Sequence, residues 1–512
     1  MTDSAAAAPA IELVGIRKSF GRVAANRGVD LAVAPGCIHG LVGENGAGKS
    51  TLMNILYGVY QPDGGEIRRN GAPVRIASTR DAIAQGIGMV HQHFMLAEPL
   101  TVLENVMLGA EGAAWLGTAR TRARTRLAHL AAEYGLALAL DRPVASLTLG
   151  EKQRAEILRA LYREADLLIL DEPTAVLAPQ EADALFRILR ALKSQGKSII
   201  LISHRLREVL SVTDAVTVMR QGSVVARLAT AAADEDRLAE LMVGRKVVRR
   251  LARSAAARGA PLLEIAGLGL RDAAGRERLH DIGFTLHRGE ILGIAGIAGN
   301  GQSELMQALA GLHPIAAGSV RLGGAELVAG GRLPSPRRLR ALGVAHAPED
   351  RDGMGLVASF AAFESTLLGQ QRDAALGRGP WLDRRRILGF CRFCLDSFAV
   401  SPADPTRATG LFSGGNRQKL VLARELAKDP DLLLVGQPSR GVDIGAIEFI
   451  HRRLLALRDS GTAILLVSAD LDEVLALADR ILVMAGGRIT GALARDEADE
   501  RRLGLMMAGI AA

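Results

Sequence analysis

Cysteine is nearly missing from this sequence. Three in 512 residues exclude a small disulfide-stapled framework and suit a reducing compartment. Long apolar runs are missing too. No stretch approaches the roughly 18 uncharged apolar residues that a membrane-crossing helix needs, so if the protein works at a membrane, another chain does the spanning. The first residues, Met1, Thr2, Asp3 and Ser4 followed by alanines, have neither the basic segment nor the apolar core of a secretory signal. The composition is not that of a disordered or collagen-like chain: 49% hydrophobic and 23% charged is an ordinary globular balance able to bury sizeable cores. Lys and Arg number 63 against 55 Asp and Glu, a net +8. That balance suits nucleic acid or an anionic surface but specifies neither.

What is present is a repeat at the scale of half the chain. CIHGLVGENGAGKST, 37–51, returns as EILGIAGIAGNGQSE, 290–304, with Gly43 matching Gly296 253 positions on. LTLGEKQR (147–154) pairs with FSGGNRQK (412–419), LLILDEPT (167–174) with LLLVGQPS (432–439), and ISHRLREV (202–209) with VSADLDEV (467–474), all at an offset of 265. Four ordered matches at near-constant spacing make a duplicated domain. The sequence predicts units over 10–243 and 263–512, joined over 244–262 by a basic, Ala-rich linker bracketed by Gly and Pro. Within each unit, apolar runs such as IHGLVG, LLIL and SIILIS alternate with helical patterns, the α/β signature of buried parallel strands.

Two motifs carry chemistry. GENGAGKS, 43–50, fits G-x-x-x-x-G-K-[ST] between an apolar strand and a helical run, the context a phosphate-binding loop requires. Its glycines let backbone N–H groups turn inward on the phosphates, and the helix start adds partial positive charge. Lys49 is placed to reach the β/γ-phosphates and Ser50 to ligate Mg²⁺. LLILDE, 167–172, is an apolar strand ending in two acids, an expensive position unless they meet a cation or a reacting water. Asp171 is the candidate for holding Mg²⁺ through water, and Glu172 for polarising the attacking water. Other patterns have blander readings. Cys391 and Cys394 form a CxxC without a second pair, at helix spacing, and read as packing. His91 and His93 read as loop packing, and Arg120, Arg122, Arg124 and Arg126 as a solvated helix.

On these motifs both halves resemble nucleotide-binding domains of ABC transporters, over nearly the whole chain. The most specific mark is the family signature LSGGQ, present as Phe412-Ser413-Gly414-Gly415-Asn416 and, altered, as Leu147-Thr148-Leu149-Gly150-Glu151. The resemblance implies two tandem P-loop NTPase units, each a mainly parallel sheet core with a helical subdomain, that bind ATP and Mg²⁺. It implies that Gly43, Glu44, Asn45, Gly46, Ala47, Gly48, Lys49, Ser50 and Thr51 contact nucleotide, and that Phe20, in KSFG, stacks on adenine. Gln92, in MVHQHF, resembles the glutamine that contacts Mg²⁺ and senses the permease. His204, in ISHR, resembles the switch histidine at the γ-phosphate. Ser413, Gly414, Gly415 and the D-loop aspartate Asp443 would serve a nucleotide from the opposite side.

The halves are not equivalent. In the second, the P-loop lysine is Gln302, the strand-tip acids are Gly436 and Gln437, the switch histidine is Ala469, and 271–280 holds no aromatic residue. Pro348-Glu349-Asp350-Arg351 stands where the glutamine loop is expected. The signatures reverse the pattern: Gly414, Gly415 and Asp443 are intact, while the first half has Leu149 and Ala178. The family's domains dimerise head to tail, each nucleotide lying between one P-loop and the opposite signature. One site then collects every intact motif and the other every defect. The resemblance implies an ATPase motor on the cytoplasmic face of the inner membrane, driving a separate permease supplied by a substrate-binding lipoprotein. EDRDG and SGGNRQK resemble the sugar-importer class; GQPSRGVDIGAIEFIH and VHQHFML resemble its nucleoside branch. The rival reading is a twin-cassette ATPase acting on ribosomes, a group with a long charged linker and two intact sites. No nucleic-acid partner is expected here.

Overall fold

Uncharged aliphatic runs decide the centre of each half. Ile38–Gly43, Leu167–Asp171, Ser198–Ile202 and Ile87–Val90 are strands buried along their whole length, as strands covered on both faces must be. Backbone pairing orders one six-stranded sheet as Ser223–Ala229, Ala215–Arg220, Ile38–Gly43, Ser198–Ile202, Leu167–Asp171, Ile87–Val90. It is parallel except for the antiparallel strand Ser223–Ala229. This computed structural model describes residues 8–21, 23–91, 94–110, 116–174, 177, 179–203, 205–246, 258–272, 274–297, 299–378 and 381–507. The chain divides into two compact units, Met1–Val247 and Val248–Ala512.

Strand side chains alternate between faces, so each central strand feeds two cores. Leu167, Ile169, Ile200 and Ile202 enter a core shared with the helix Lys49–Leu56 and an antiparallel sheet ordered Val23–Val33, Ile11–Phe20, Gly64–Arg69, Ala72–Val74. Leu168, Leu170, Ile199 and Leu201 enter a second core with the helices Leu116–Tyr134, Leu149–Tyr162 and Pro179–Ser194. Truncating one such leucine to alanine costs about 2–5 kcal/mol.

The second unit repeats the plan. Its sheet runs Arg488–Ala494, Arg480–Ala485, Ile291–Ala295, Ala463–Ser468, Leu432–Gly436, Val344–Ala347. Leu432 and Leu434 face one core, Leu433 and Val435 the other. Left-handed backbone recurs with it. Glu164, Glu172 and Gln221 have φ of 63°, 49° and 50°; at the same offset of 265, Asp429, Gln437 and Gly486 have 46°, 48° and 55°. Non-glycine residues seldom adopt this conformation, so its recurrence is structural evidence of duplication.

Cys391 and Cys394 are both buried in the core of the second unit, and burial pushes their thiols up to about 11 and about 12. They pack. Arg124 pairs with Asp141 at 2.6 Å, Arg126 with Glu164 at 2.8 Å and Arg120 with Glu104 at 3.5 Å, so these exposed arginines of the helix answer their own unit's acids. Among the described residues no helix is long and apolar enough to cross a membrane.

Candidate nucleotide-binding site

Parallel strands end at one edge, and in open α/β sheets ligands bind there. In the first unit, Gly43, Val90, Asp171 and Ile202 close their strands at that edge. The loop 43–48, the two acids and Ser203 therefore meet although the chain separates them widely. Gln92 and His204 follow the strands ending at Val90 and Ile202 but lie outside the described residues, as do His93 and Ala178. The His91 ring stands edge-on to Tyr57, 5.9 Å between centroids, and burial pushes its pKa down.

The loop has no room for larger residues where it folds back. A methyl on Gly43 would lie 2.4 Å from the Met219 carbonyl oxygen, and one on Gly48 2.3 Å from that of Ala25. Gly48 is left-handed, φ 97°, and opens the helix Lys49–Leu56 without a side-chain cap, so the first N–H groups keep their binding capacity. A methyl on Gly46 meets nothing within 4 Å among the described residues, which leave that face of the loop open. Glu44, Asn45 and Ala47 complete the turn, with Ala47 N–H donating to the Glu44 carbonyl at 3.0 Å. Lys49 is 6% exposed, and its Nζ donates to the carbonyls of Gly43 at 2.7 Å and Glu44 at 3.0 Å. The cation is held against its own loop. Thr51 follows Ser50 in the helix.

Asp171 is buried and hydrogen-bonded to the Ser50 side chain. Burial first, and then the charge of Glu172, push its carboxyl up to about 6 against the opposing effects of Lys49 and Ser50. Glu172 leaves the strand with φ 49°, its N–H donating to the Ile202 carbonyl at 2.9 Å. Phe20, 45% exposed, ends the strand Ile11–Phe20 with its ring 5.2 Å from that of Tyr60. Strand pairing places Lys18 opposite Asn26, whose Nδ2 donates to the Gly48 carbonyl at 3.1 Å. Phe20 and Asn26, the residue bonded to the P-loop, thus belong to one hairpin. Sequence reasoning missed Asn26 and Tyr60; the aromatic spacing in YGVY, 57–60, is the only signal for Tyr60.

The second unit keeps the backbone and changes the chemistry. Gly301 is left-handed like Gly48, φ 105°, and opens the helix Gln302–Leu309. Gln302 Nε2 donates to the Ile297 carbonyl at 3.2 Å and carries no charge. Ser303 Oγ donates to the Glu349 carboxylate at 2.6 Å. A methyl on Gly436, at the Asp171 position, would lie 3.0–3.2 Å from Glu349 atoms, so the segment around Glu349 packs where the lost aspartate would stand. Around 271–278, Arg271 pairs with Glu277 and Asp272 with Arg276 and Arg278. Charge replaces the aromatic.

The signature in the second unit is ordered. Ser413 caps the helix Gly414–Leu426, its Oγ accepting from Asn416 Nδ2 at 2.9 Å. Asp443 caps the helix Ile444–Asp459, accepting from Ala446 N–H at 2.7 Å, and its Oδ2 would lie 3.1 Å from a methyl on Gly415. In the first unit Thr148 and Glu151 form a reciprocal capping box, and Leu149 is 44% exposed.

A profile of the ABC transporter family matches residues 26–175 and 279–440. The chain is 44% identical to the glucose import ATP-binding protein TsgD13 of Haloferax volcanii, a match spanning 98% of this chain and 96% of the relative. It is 43% identical to the guanosine import ATP-binding protein NupO of Bacillus subtilis, over 98% and 97%. It is 40% identical to the nucleoside import ATP-binding protein NupA of Lactococcus lactis subsp. cremoris, over 98% of both. Among solved structures, an archaeal ribosome recycling factor, aABCE1, in complex with the stalk protein aP1 matches with a TM-score of 0.63 at 20% identity, over 94% of this chain and 90% of that one. At that identity the likeness is one of fold.

Proposed function

The chain belongs to the ABC transporter family of ATPases, and from that premise we propose that it is the motor of an importer for nucleosides or simple sugars, peripheral to the cytoplasmic face of the inner membrane. ATP closure and hydrolysis drive alternating access in a separate permease, which a substrate-binding lipoprotein supplies. The observation that carries this reading is whole-length similarity: import ATP-binding proteins at 40–44% identity align with 98% of the chain. Their names span guanosine, nucleosides and glucose.

The two units pair head to tail in this reading, so the first P-loop faces the second signature. ATP fits the first unit: helix N–H groups without a side-chain cap and the face at Gly46 receive phosphate, and Lys49 exchanges the loop carbonyls of Gly43 and Glu44 for phosphate oxygens. Ser50 and Asp171 are the hard oxygen donors magnesium takes, and the family resemblance adds Gln92 to that set. Bound Mg²⁺ supplies charge neutralisation on the phosphates. Phe20 stacks on adenine, His204 touches the γ-phosphate, and Glu172 accepts a proton from the attacking water as it bonds to phosphorus. Ser413 Oγ and the N–H groups of Gly414 and Gly415 complete the cage as charge develops, and Asp443 holds their edge. The second P-loop, with Gln302 and no strand-tip acid, forms a degenerate site that retains nucleotide through Gly301 and Ser303.

Co-purification tests the motor reading. From membranes the tagged chain should bring multi-span proteins, and in sucrose gradients it should not sediment with ribosomes. Ribosome sedimentation without membrane partners would contradict it.

A further inference from the structure

The segment 349–352 joins three parts of the second unit that are remote in sequence. Val344 pairs with Leu432 as Ile87 pairs with Leu167, so by count Glu349 takes the position of Gln92. One Glu349 oxygen accepts from Ser303 at 2.6 Å, in the altered P-loop, and the other lies 3.6 Å from Arg440 Nη1. Two residues on, Arg351 Nη1 donates to the Arg440 carbonyl at 2.6 Å, in the turn that ends at Asp443. Its Nη2 lies against the signature: a methyl built on Gly414 would be 3.0 Å from it, and one on Gly441 3.2 Å. Asp352 then accepts from Arg417 Nη1 at 2.6 Å, in the first turns of the signature helix.

This guanidinium is placed by its surroundings. The Asp350 carboxylate accepts from the N–H groups of Asp352 and Gly353 at 3.2 and 2.9 Å, fixing the turn that carries Arg351. Buried Arg424 donates to the carbonyls of Gly355 at 2.8 Å and Ser365 at 3.0 Å, fixing the chain after it. The Arg351 side chain is 16% exposed. Gly414 and Gly441 have no side chains with which to lock each other, and a planar fork with donors in two directions suits the gap. The first unit has Phe94 at the corresponding position, so the cation belongs to the unit whose signature is intact.

We propose that Arg351 is a positioning residue for ATP hydrolysis, holding the backbone at Ser413-Gly414 and the turn at Arg440-Gly441 in the relative placement that serves the first unit's ATP. The proposal rests on the head-to-tail reading given above. Hydrolysis depends on donors aimed at developing charge, and a misplacement of about 1 Å costs about 10²-fold in rate.

The test uses Arg351→Ala and Arg351→Lys in the full chain purified with its membrane partners, read by steady-state ATPase, fluorescent-nucleotide affinity and thermal melting. Arg351→Ala should lower kcat by about 10²-fold with nucleotide affinity unchanged. Arg351→Lys keeps the charge and a donor for the Arg440 carbonyl but loses the second direction of the fork, so it should recover only part of the loss. An unimpaired kcat in Arg351→Ala overturns the proposal. So does joint loss of kcat and affinity that lysine does not recover, the pattern of a purely structural role. Gly414→Asp is the control for the underlying reading. Full activity there fails the head-to-tail arrangement itself, whereas an inactive Gly414→Asp beside an unimpaired Arg351→Ala fails only the role of Arg351.

Discussion

Glu172→Gln should reduce ATP turnover by about 10²–10⁴-fold, the usual contribution of a general base, while ATP stays bound. Glu172 leaves its strand in a left-handed conformation anchored by the bond to Ile202. An isosteric amide keeps that backbone and the size of the side chain, and removes only the charge proposed to accept the proton. Lys49→Ala should behave differently. It deletes the buried cation that bridges Gly43 and Glu44, so it should weaken binding itself. Nucleotide binding and phosphate release, measured on both variants with the permease present, separate the two roles. Near-normal hydrolysis in Glu172→Gln would remove the base from the scheme.

Gly414→Asp should silence the ATPase, at a cost on the order of 10²–10³-fold, the scale for losing a donor to transition-state charge. The position is 365 residues from Lys49 and belongs to the other unit, so no local effect links them. Two causes act together. Any β-carbon at 414 would lie 2.6 Å from the Gly441 carbonyl oxygen, so the signature backbone must shift. In the proposed head-to-tail reading the carboxylate also brings negative charge toward the γ-phosphate. Leu149→Asp makes the matching change in the first unit's signature, which the proposed head-to-tail reading assigns to the degenerate P-loop with Gln302. Leu149 is exposed at the start of its helix, where an acidic residue is well tolerated, so hydrolysis should remain largely intact. Steady-state ATPase of both variants in the assembled transporter makes the comparison. The reverse ranking would invert the site assignment.

Local chemistry was legible in the sequence; pairing across distance was not. The strand before the P-loop and the acids at 171–172 announce themselves because burial on both faces demands unbroken apolar runs. The repeat was legible for the same reason, since both copies need the same buried strands. The CxxC reading rested on helix spacing, and both thiols do lie in a core. The bond from Ser303 to Glu349 crosses 46 residues, and that from Arg351 to Arg440 crosses 89; no periodicity encodes either. Sequence alone shows Gly436 as a lost aspartate. The structure shows the backbone and β-carbon of Glu349 packed into its place, with the Glu349 carboxylate turned on the P-loop serine. Asn26 was equally silent, a lone amide in a strand until the hairpin brings it to Gly48.

The central claim is one hydrolytic site per chain, built from the first P-loop and the second signature. Its most direct test is to load the assembled transporter with ATP, allow a single turnover, and quantify the nucleotides that remain bound or have been released. The account predicts one ADP formed per chain, with one ATP retained unhydrolysed at the degenerate site. Two ADP per chain would contradict it, because the second P-loop, without Lys, Asp or Glu at its three catalytic positions, would then be an active site.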